Sequence, residues 1–273
     1  SFIFCSELFF LNKINKIKLE ISPLNLQKYS SYGFFPKNLT PFKYVYKLLP
    51  GNNLEYNINT NKANLNQYWN YTTKPDYKVD EKEWSDQIYK NLNKSIIERT
   101  KADVDVGIFL SGGLDSSIIA TLAQKNSIKK IKTFSIGFDE KELDESKYST
   151  FVSNKIESNH FYKNIKNNEV SNLIENLLNK FNEPISDSSL PSYLELCKLA
   201  SSKVKVVLGG DGADELLAGY DTFKATKYLL LIKKLKLEKF NPIMNLLLKK
   251  INSKNKNINI KFKISRFLRF TEN

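Results

Sequence analysis

The stretch Val104-Asp105-Val106-Gly107-Ile108-Phe109-Leu110-Ser111-Gly112-Gly113-Leu114-Asp115-Ser116-Ser117 decides how this chain is read. Its apolar first part suits a buried strand, and helix-compatible residues follow the glycine pair. Gly112 and Gly113 permit positive φ and close backbone approach, while Ser116 and Ser117 can cap the next helix and donate hydroxyl hydrogen bonds. The free N–H groups and dipole of a helix start favour phosphate. Asp115 would repel a bare phosphate, so it argues for a bridging cation such as Mg²⁺. The Gly-Lys-Ser/Thr ending of a Walker A loop is missing. The stretch therefore reads as strand, pyrophosphate loop and helix, against the plainer alternative of a glycine turn between core elements.

A second stretch has the same design. Val206-Val207-Leu208-Gly209-Gly210-Asp211-Gly212-Ala213-Asp214-Glu215 runs from an apolar strand into a glycine-rich turn with three acids within five residues. Acids so close together need a cation or a cationic substrate to neutralise them. Their spacing does not fit an EF-hand. Paired with the first loop, the turn reads as the second wall of one nucleotide–metal site. Asp214 would be a further Mg²⁺ ligand, and Asp211 would face an amine or the activated substrate.

Between and around these stretches, helical and strand patterns alternate. A helix over 84–101 places Trp84, Ile88, Leu92 and Ile96 on one face at four-residue spacing. Strands are expected at 104–110, 131–138, 160–165 and 204–208, with helices at 116–126, 144–157, 168–181 and 191–202. This alternation predicts a parallel sheet covered on both faces, with 104–110 and 204–208 as central strands and ligands at the carboxyl ends. The first 71 residues are different. Phe2–Phe4 reads as a strand, Ser6–Leu11 as a helix start and Leu24–Tyr32 as a helix ended by Gly33. Leu54–Ile58 and Gln67–Tyr71 read as strands around an Asn-rich hairpin. A boundary is expected near Thr72–Val79. After Tyr220, lysine-rich amphipathic helices are expected over Phe223–Phe240 and Ile243–Ile251.

The 273 residues suffice for one large core or two smaller ones. A net charge of +13 raises nucleic acid as a partner. The excess is almost all lysine and spread along an Asn- and Ile-rich chain, so a solvated lysine surface is the expectation instead. Cys5 and Cys197 stand far apart among apolar residues, without neighbours at metal-ligand spacing. They are expected to be buried, inert thiols in a reducing, cytoplasmic setting. No apolar run approaches the roughly 18 residues of a membrane span, and Ser1–Leu11 makes a poor signal peptide. His160, the only histidine, has no acid or base partner nearby in sequence, and a structural role is expected for it.

Four ordered motifs carry a family resemblance. Ser111-Gly112-Gly113-Leu114-Asp115-Ser116-Ser117 and Gly210-Asp211-Gly212-Ala213-Asp214-Glu215-Leu216-Leu217-Ala218-Gly219-Tyr220 resemble the glutamine-dependent asparagine synthetase family. So do Phe134-Ser135-Ile136-Gly137-Phe138 with Asp144-Glu145, and Asn182-Glu183-Pro184-Ile185-Ser186-Asp187, where Asn182 replaces the usual Asp. The resemblance implies an α/β fold with a parallel-sheet ATP-pyrophosphatase domain (adenine nucleotide alpha hydrolase-like) over 76–273. Residues 1–75 would be the β-rich end of a glutaminase domain of the N-terminal-nucleophile type, with helices following the sheet. The chain is expected to be incomplete, the glutaminase cysteine lying upstream and an active-site lysine downstream.

The implied nucleotide set is Phe109, Leu110, Ser111, Gly112, Gly113, Asp115, Ser116, Ser117, Ile136, Gly209 and Gly210. Of these, Phe109, Ser111 and Ile136 would line the adenosine site. Asp115 and Asp214 would serve Mg²⁺ and pyrophosphate, with Asp211 and Asp214 as the catalytic acids and Asp211 facing the acyl-adenylate and ammonia. The implied substrates are ATP, aspartate and ammonia from glutamine, with a homodimer possible and no membrane partner. Alternatives are the same adenylation on another carboxylate, as in β-lactam-forming or glycan-modifying relatives, an RNA-modifying ATP pyrophosphatase, or a non-catalytic scaffold.

Overall fold

A computed structural model of the chain describes residues 2–14, 17–140, 144–178, 181 and 183–234. The chain divides into two units, Ser1–Gly209 and Gly210–Asn273.

The first unit opens with short elements. Helix α1 (Phe9–Asn12) is a single turn, and α2 (Pro23–Tyr32) starts where the Ser22 side chain accepts from the Asn25 N–H. Gly33 ends α2 in the left-handed conformation at φ 78°, as expected of a glycine at that position. Strands β1 (Asn52–Asn57) and β2 (Lys62–Gln67) form an antiparallel hairpin. Among the described residues Phe2–Phe4 finds no strand to pair with and forms none, and Phe4 and Cys5 are exposed rather than buried. The second hairpin strand ends at Gln67, several residues earlier than the apolar pattern suggests. Turn chemistry decides this: Asn57 Oδ1 accepts from the Asn59 and Thr60 N–H groups and closes the loop early.

Helix α3 (Glu81–Thr100) begins at Asp80, whose carboxylate accepts from the Glu83 N–H at 2.8 Å. Strand β3 (Val106–Phe109), α4 (Leu114–Lys125), β4 (Lys132–Phe138), α5 (Ser146–Lys155) and β5 (Asn159–Ile165) follow. A short 3₁₀ turn leads into α6 (Val170–Leu178), then α7 (Leu190–Ser201) and β6 (Val206–Leu208). The four later strands form a parallel sheet in the order β5-β4-β3-β6. The expected α/β class is thus observed. β6 lies at an edge rather than at the centre, and it is shorter than the expected 204–208. Val204 belongs to the turn that ends α7, its N–H donating to the Ala200 carbonyl.

Alternation along β3 makes the layers. Ile108 and Leu110 face α3 and α4, packing with Ile96, Ala120, Leu122 and Ala123. Phe109 faces the other side and packs with Phe134 of β4 and with Ala200 and Val204 of the α7 layer. On α3 only the last part of the expected face reaches this core: Ile96 is buried, Leu92 partly so, and Trp84 and Ile88 are exposed. In the second unit, α8 (Ala213–Leu217) and α9 (Asp221–Lys234) follow the acidic turn. The expected helix over Ile243–Ile251, the end of Phe223–Phe240 and Asn182 lie outside the described residues. Among the described residues no helix is long and apolar enough to cross a membrane.

Candidate active site

Parallel pairing brings the carboxyl ends of three strands to one edge. Phe109 pairs with Phe134, and Ile108 with Leu208, so the chain leaves β3 at Leu110 and β6 at Gly209 on that edge. Ile136 lies two residues beyond the Phe109–Phe134 pair on β4. The ring of Phe109 is almost fully buried and lies edge-on to Tyr193 of α7, with centroids 5.6 Å apart.

The Ser111–Ser116 loop is held by its own hydroxyls. Ser111 Oγ accepts from the Gly113 N–H at 3.2 Å and lies 3.0 Å from Ser116 Oγ. Ser116 Oγ accepts from the Ser111 N–H and donates to the Gly113 carbonyl. One arrangement satisfies all of these, with the Ser111 hydroxyl donating to Ser116. The expected serine caps do not form. Gly113 is the N-cap, and no side chain caps α4, because the buried Ser116 hydroxyl is occupied within the loop. Ser117 Oγ is also buried and has no hydrogen-bond partner among the described residues. Asp115 stands in the first turn, where a carboxylate is favoured by the helix dipole.

The two glycines serve different ends. Gly112 has φ 88°, and a Cβ there would stand 2.5 Å from the Ser149 amide nitrogen and the Tyr148 carbonyl carbon of α5. Gly113, with φ −67°, needs no left-handed freedom.

The acidic turn belongs to the second unit. Gly212 has φ 88° and is the N-cap of α8. Gly219 lies so close to Asp214 Oδ1 that a side chain there would collide with it. Tyr220 Oη donates to Glu215 Oε1 at 2.7 Å. That bond, with burial and the charges of Glu215, Asp214 and Asp211 behind it, pushes the phenol up to about 12, and the same bond holds the Glu215 carboxyl below its usual range.

Other chemistry-bearing groups are engaged in the first unit. Asp187 accepts from the Ser189 N–H and hydroxyl, which lowers its pKa and fixes the turn into α7. Lys47 reaches Glu183 Oε1 at 2.5 Å. Glu195, buried on α7, binds Lys163 of β5 at 2.6 Å and also Lys198. Burial alone would raise its pKa, but the two ammonium groups outweigh it and hold the carboxyl low. Nothing in the sequence signals the Glu195–Lys163 pair, because its members are 32 residues apart in unrelated patterns. His160 lies between Thr133 and Ser135, and burial lowers its pKa. Among the described residues no cluster of three or more His, Cys, Asp or Glu stands ready for a metal.

Residues 87–261, which contain both glycine-rich loops, match the asparagine synthase family. The chain belongs to that family. It is 35% identical over 81% of its length to a protein of Methanocaldococcus jannaschii named for a second glutamine-hydrolysing asparagine synthetase, and covers 43% of that protein. It is 32% identical over 76% of its length to asparagine synthetase (glutamine-hydrolysing) 1 of Bacillus subtilis, and covers 32% of it. The chain thus spans less than half the length of these asparagine synthetases. Among solved structures, the NH3-dependent NAD synthetase of Campylobacter jejuni matches 50% of this chain and 60% of its own at TM-score 0.36 and 21% identity.

Proposed function

We propose that this chain supplies the nucleotide site of an ATP-dependent amidotransferase that converts aspartate to asparagine with ammonia drawn from glutamine. Residues 76–273 are read as the synthetase domain and 1–75 as part of a glutaminase-type domain. The observation that carries the proposal is the N-terminus of α4. It opens at the carboxyl edge of a parallel sheet with no side chain capping it, and Asp115 stands in its first turn.

In this reading Ser111, Ile136, Gly209 and Gly210 border the nucleotide, together with the backbone of Phe109 and Leu110. Gly112, Gly113, Ser116 and Ser117 shape the pyrophosphate cradle. The N–H groups of the first turn of α4 bind phosphate oxygens. Mg²⁺ is the cation this reading calls for, since it takes one or two carboxylates and substrate phosphates, with water completing its shell. Asp115 and Asp214 would hold it, and when bound it neutralises the charge of the departing pyrophosphate.

A carboxylate oxygen is a poor leaving group, which is why adenylation comes first. The aspartate side-chain oxygen attacks the α-phosphorus, and the bond to the β-phosphate oxygen breaks. The lone pair of ammonia then attacks the acyl carbon, the C–O bond to AMP breaks, and one proton is lost. Asp211 is placed in this reading to face the acyl-adenylate and to attract the incoming nitrogen. Catalysis is positioning and charge neutralisation. The two unpaired cysteines suit a reducing, cytoplasmic setting.

The test is pyrophosphate release by the full-length protein with ATP, Mg²⁺, aspartate and ammonia. Release that depends on aspartate supports the proposal. Release only with a different carboxylate, or only with RNA, refutes it.

A further inference from the structure

The imidazole of His160 sits at the centre of a largely buried chain of hydroxyls that no step of the proposed reaction uses. Ser135 Oγ lies 3.0 Å from Nε2, and Thr133 Oγ1 lies 2.9 Å from Nδ1. Beyond Ser135, Ser149 Oγ of α5 donates at 3.2 Å. Beyond Thr133, Ser158 Oγ stands at 2.9 Å and reaches the Ser153 carbonyl, again on α5. Thr133, Ser135, Ser149 and Ser153 are all fully or almost fully buried.

One direction of donation runs through the chain, with the Ser149 proton shared between Ser135 Oγ at 3.2 Å and the Ser146 carbonyl at 3.0 Å. Ser149 donates to Ser135, Ser135 to Nε2, the Nδ1–H to Thr133, Thr133 to Ser158 and Ser158 to the Ser153 carbonyl. An alanine at 160 would break the chain at its middle and leave two buried hydroxyls short of a partner. The two ends of the chain both grip α5, and Ser149 is also the residue whose amide abuts Gly112.

We propose that His160 is a positioning residue for the Ser111–Ser117 loop, acting through Ser135 and Ser149 to seat the first turn of α5 against Gly112. The glycine at 112 lets the loop rest directly on the Tyr148–Ser149 peptide, so any shift of that turn moves the loop's footing. Hydroxyls bonded in sequence polarise one another, which stiffens the arrangement beyond its separate bonds. His160 itself touches no reacting atom. Only the effect on nucleotide affinity rests on reading Ser111–Ser117 as the nucleotide loop.

Hydrogen exchange across residues 110–117 tests the proposal, with ATP·Mg²⁺ affinity measured on the same proteins. His160→Ala and Ser135→Ala should each speed exchange in that segment by about fivefold or more, the effect of losing one ordinary hydrogen bond. The double variant should exceed the singles only slightly, because both cut one chain. His160→Gln, whose amide can accept from Ser135 and donate to Thr133, should restore most of the protection. Leu173→Ala, a core truncation on α6, is the control for simple loss of stability. The proposal is overturned if exchange at 110–117 is unchanged in His160→Ala, or if Leu173→Ala speeds it equally. ATP affinity should fall in the order of the exchange rates. A wild-type protein that binds no ATP would count against the nucleotide reading, while the exchange data would still decide the role of His160.

Discussion

The ammonium of Lys47 lies 2.5 Å from Glu183 Oε1, joining two segments 136 residues apart. Gly33 and Ser186 meet in the same region, the Ser186 N–H donating to the Gly33 carbonyl at 3.0 Å. The segment after α2 is therefore fastened to the loop that leads into α7.

Removing this ammonium should cost more than an ordinary surface pair. The other carboxylate oxygen of Glu183 is buried without a partner among the described residues, so Lys47→Met leaves the whole charge uncompensated. A fully buried pair loses about 3–5 kcal/mol in this way. Partial exposure of both side chains reduces the expectation to about 1–2 kcal/mol. Urea denaturation of Lys47→Met and of Lys47→Met/Glu183→Gln gives the answer. The second substitution should recover part of the loss by removing the stranded charge.

Gly107 meets a packing limit rather than a backbone one. A Cβ at this position would stand 2.5 Å from Phe134 Cε2 and 3.1 Å from Val204 Cγ2, and Phe134 is fully buried. Gly107→Ala should therefore destabilise the protein by about 1–3 kcal/mol. Phe134→Leu in the same background should relieve part of this, a coupling that thermal unfolding of the single and double variants would reveal.

Asp115 separates function from stability. As a first-turn acid it is worth only about 0.3–1 kcal/mol to α4. Asp115→Ala should leave the unfolding midpoint nearly unchanged and abolish Mg²⁺-dependent pyrophosphate release by the full-length protein. Turnover at the wild-type rate would remove Asp115 from the metal site.

Stability should fall on the acid side because of His160. Burial disfavours its charged form, so the folded pKa lies below the ordinary imidazole value of about 6.5. Above that value both folded and unfolded chains hold a neutral ring, and the contribution is fully present. As pH falls below it, the unfolded chain takes up the proton first, and stability is lost until the folded ring also protonates. Unfolding followed between pH 7 and pH 5 should show this slope, and His160→Gln should flatten it.

Apolar runs and four-residue spacing were enough to find the strands and helices of the sheet, because each carries its own periodicity. They could not place β6 at the edge, since strand order depends on pairing partners far along the chain. They also overextended 204–208, where Val204 is claimed by the end of α7. In the loop, the residue types were legible but their hydrogen bonds were not. Ser116 has the chemistry of a cap, yet Ser111 and the Gly113 carbonyl take its hydroxyl first. Cys5 shows the converse failure. An apolar neighbourhood in sequence implies burial only if those neighbours find a surface to cover, and Phe4 beside it does not.

The hydroxyl bonds that close Ser111–Ser116 run between members of the loop itself. Its shape is thus a local instruction, written in a handful of adjacent residues and needing from its host only a flat footing under Gly112. Such a segment behaves as a transferable cassette. Its neighbours can change without rewriting the bonds that give it its form.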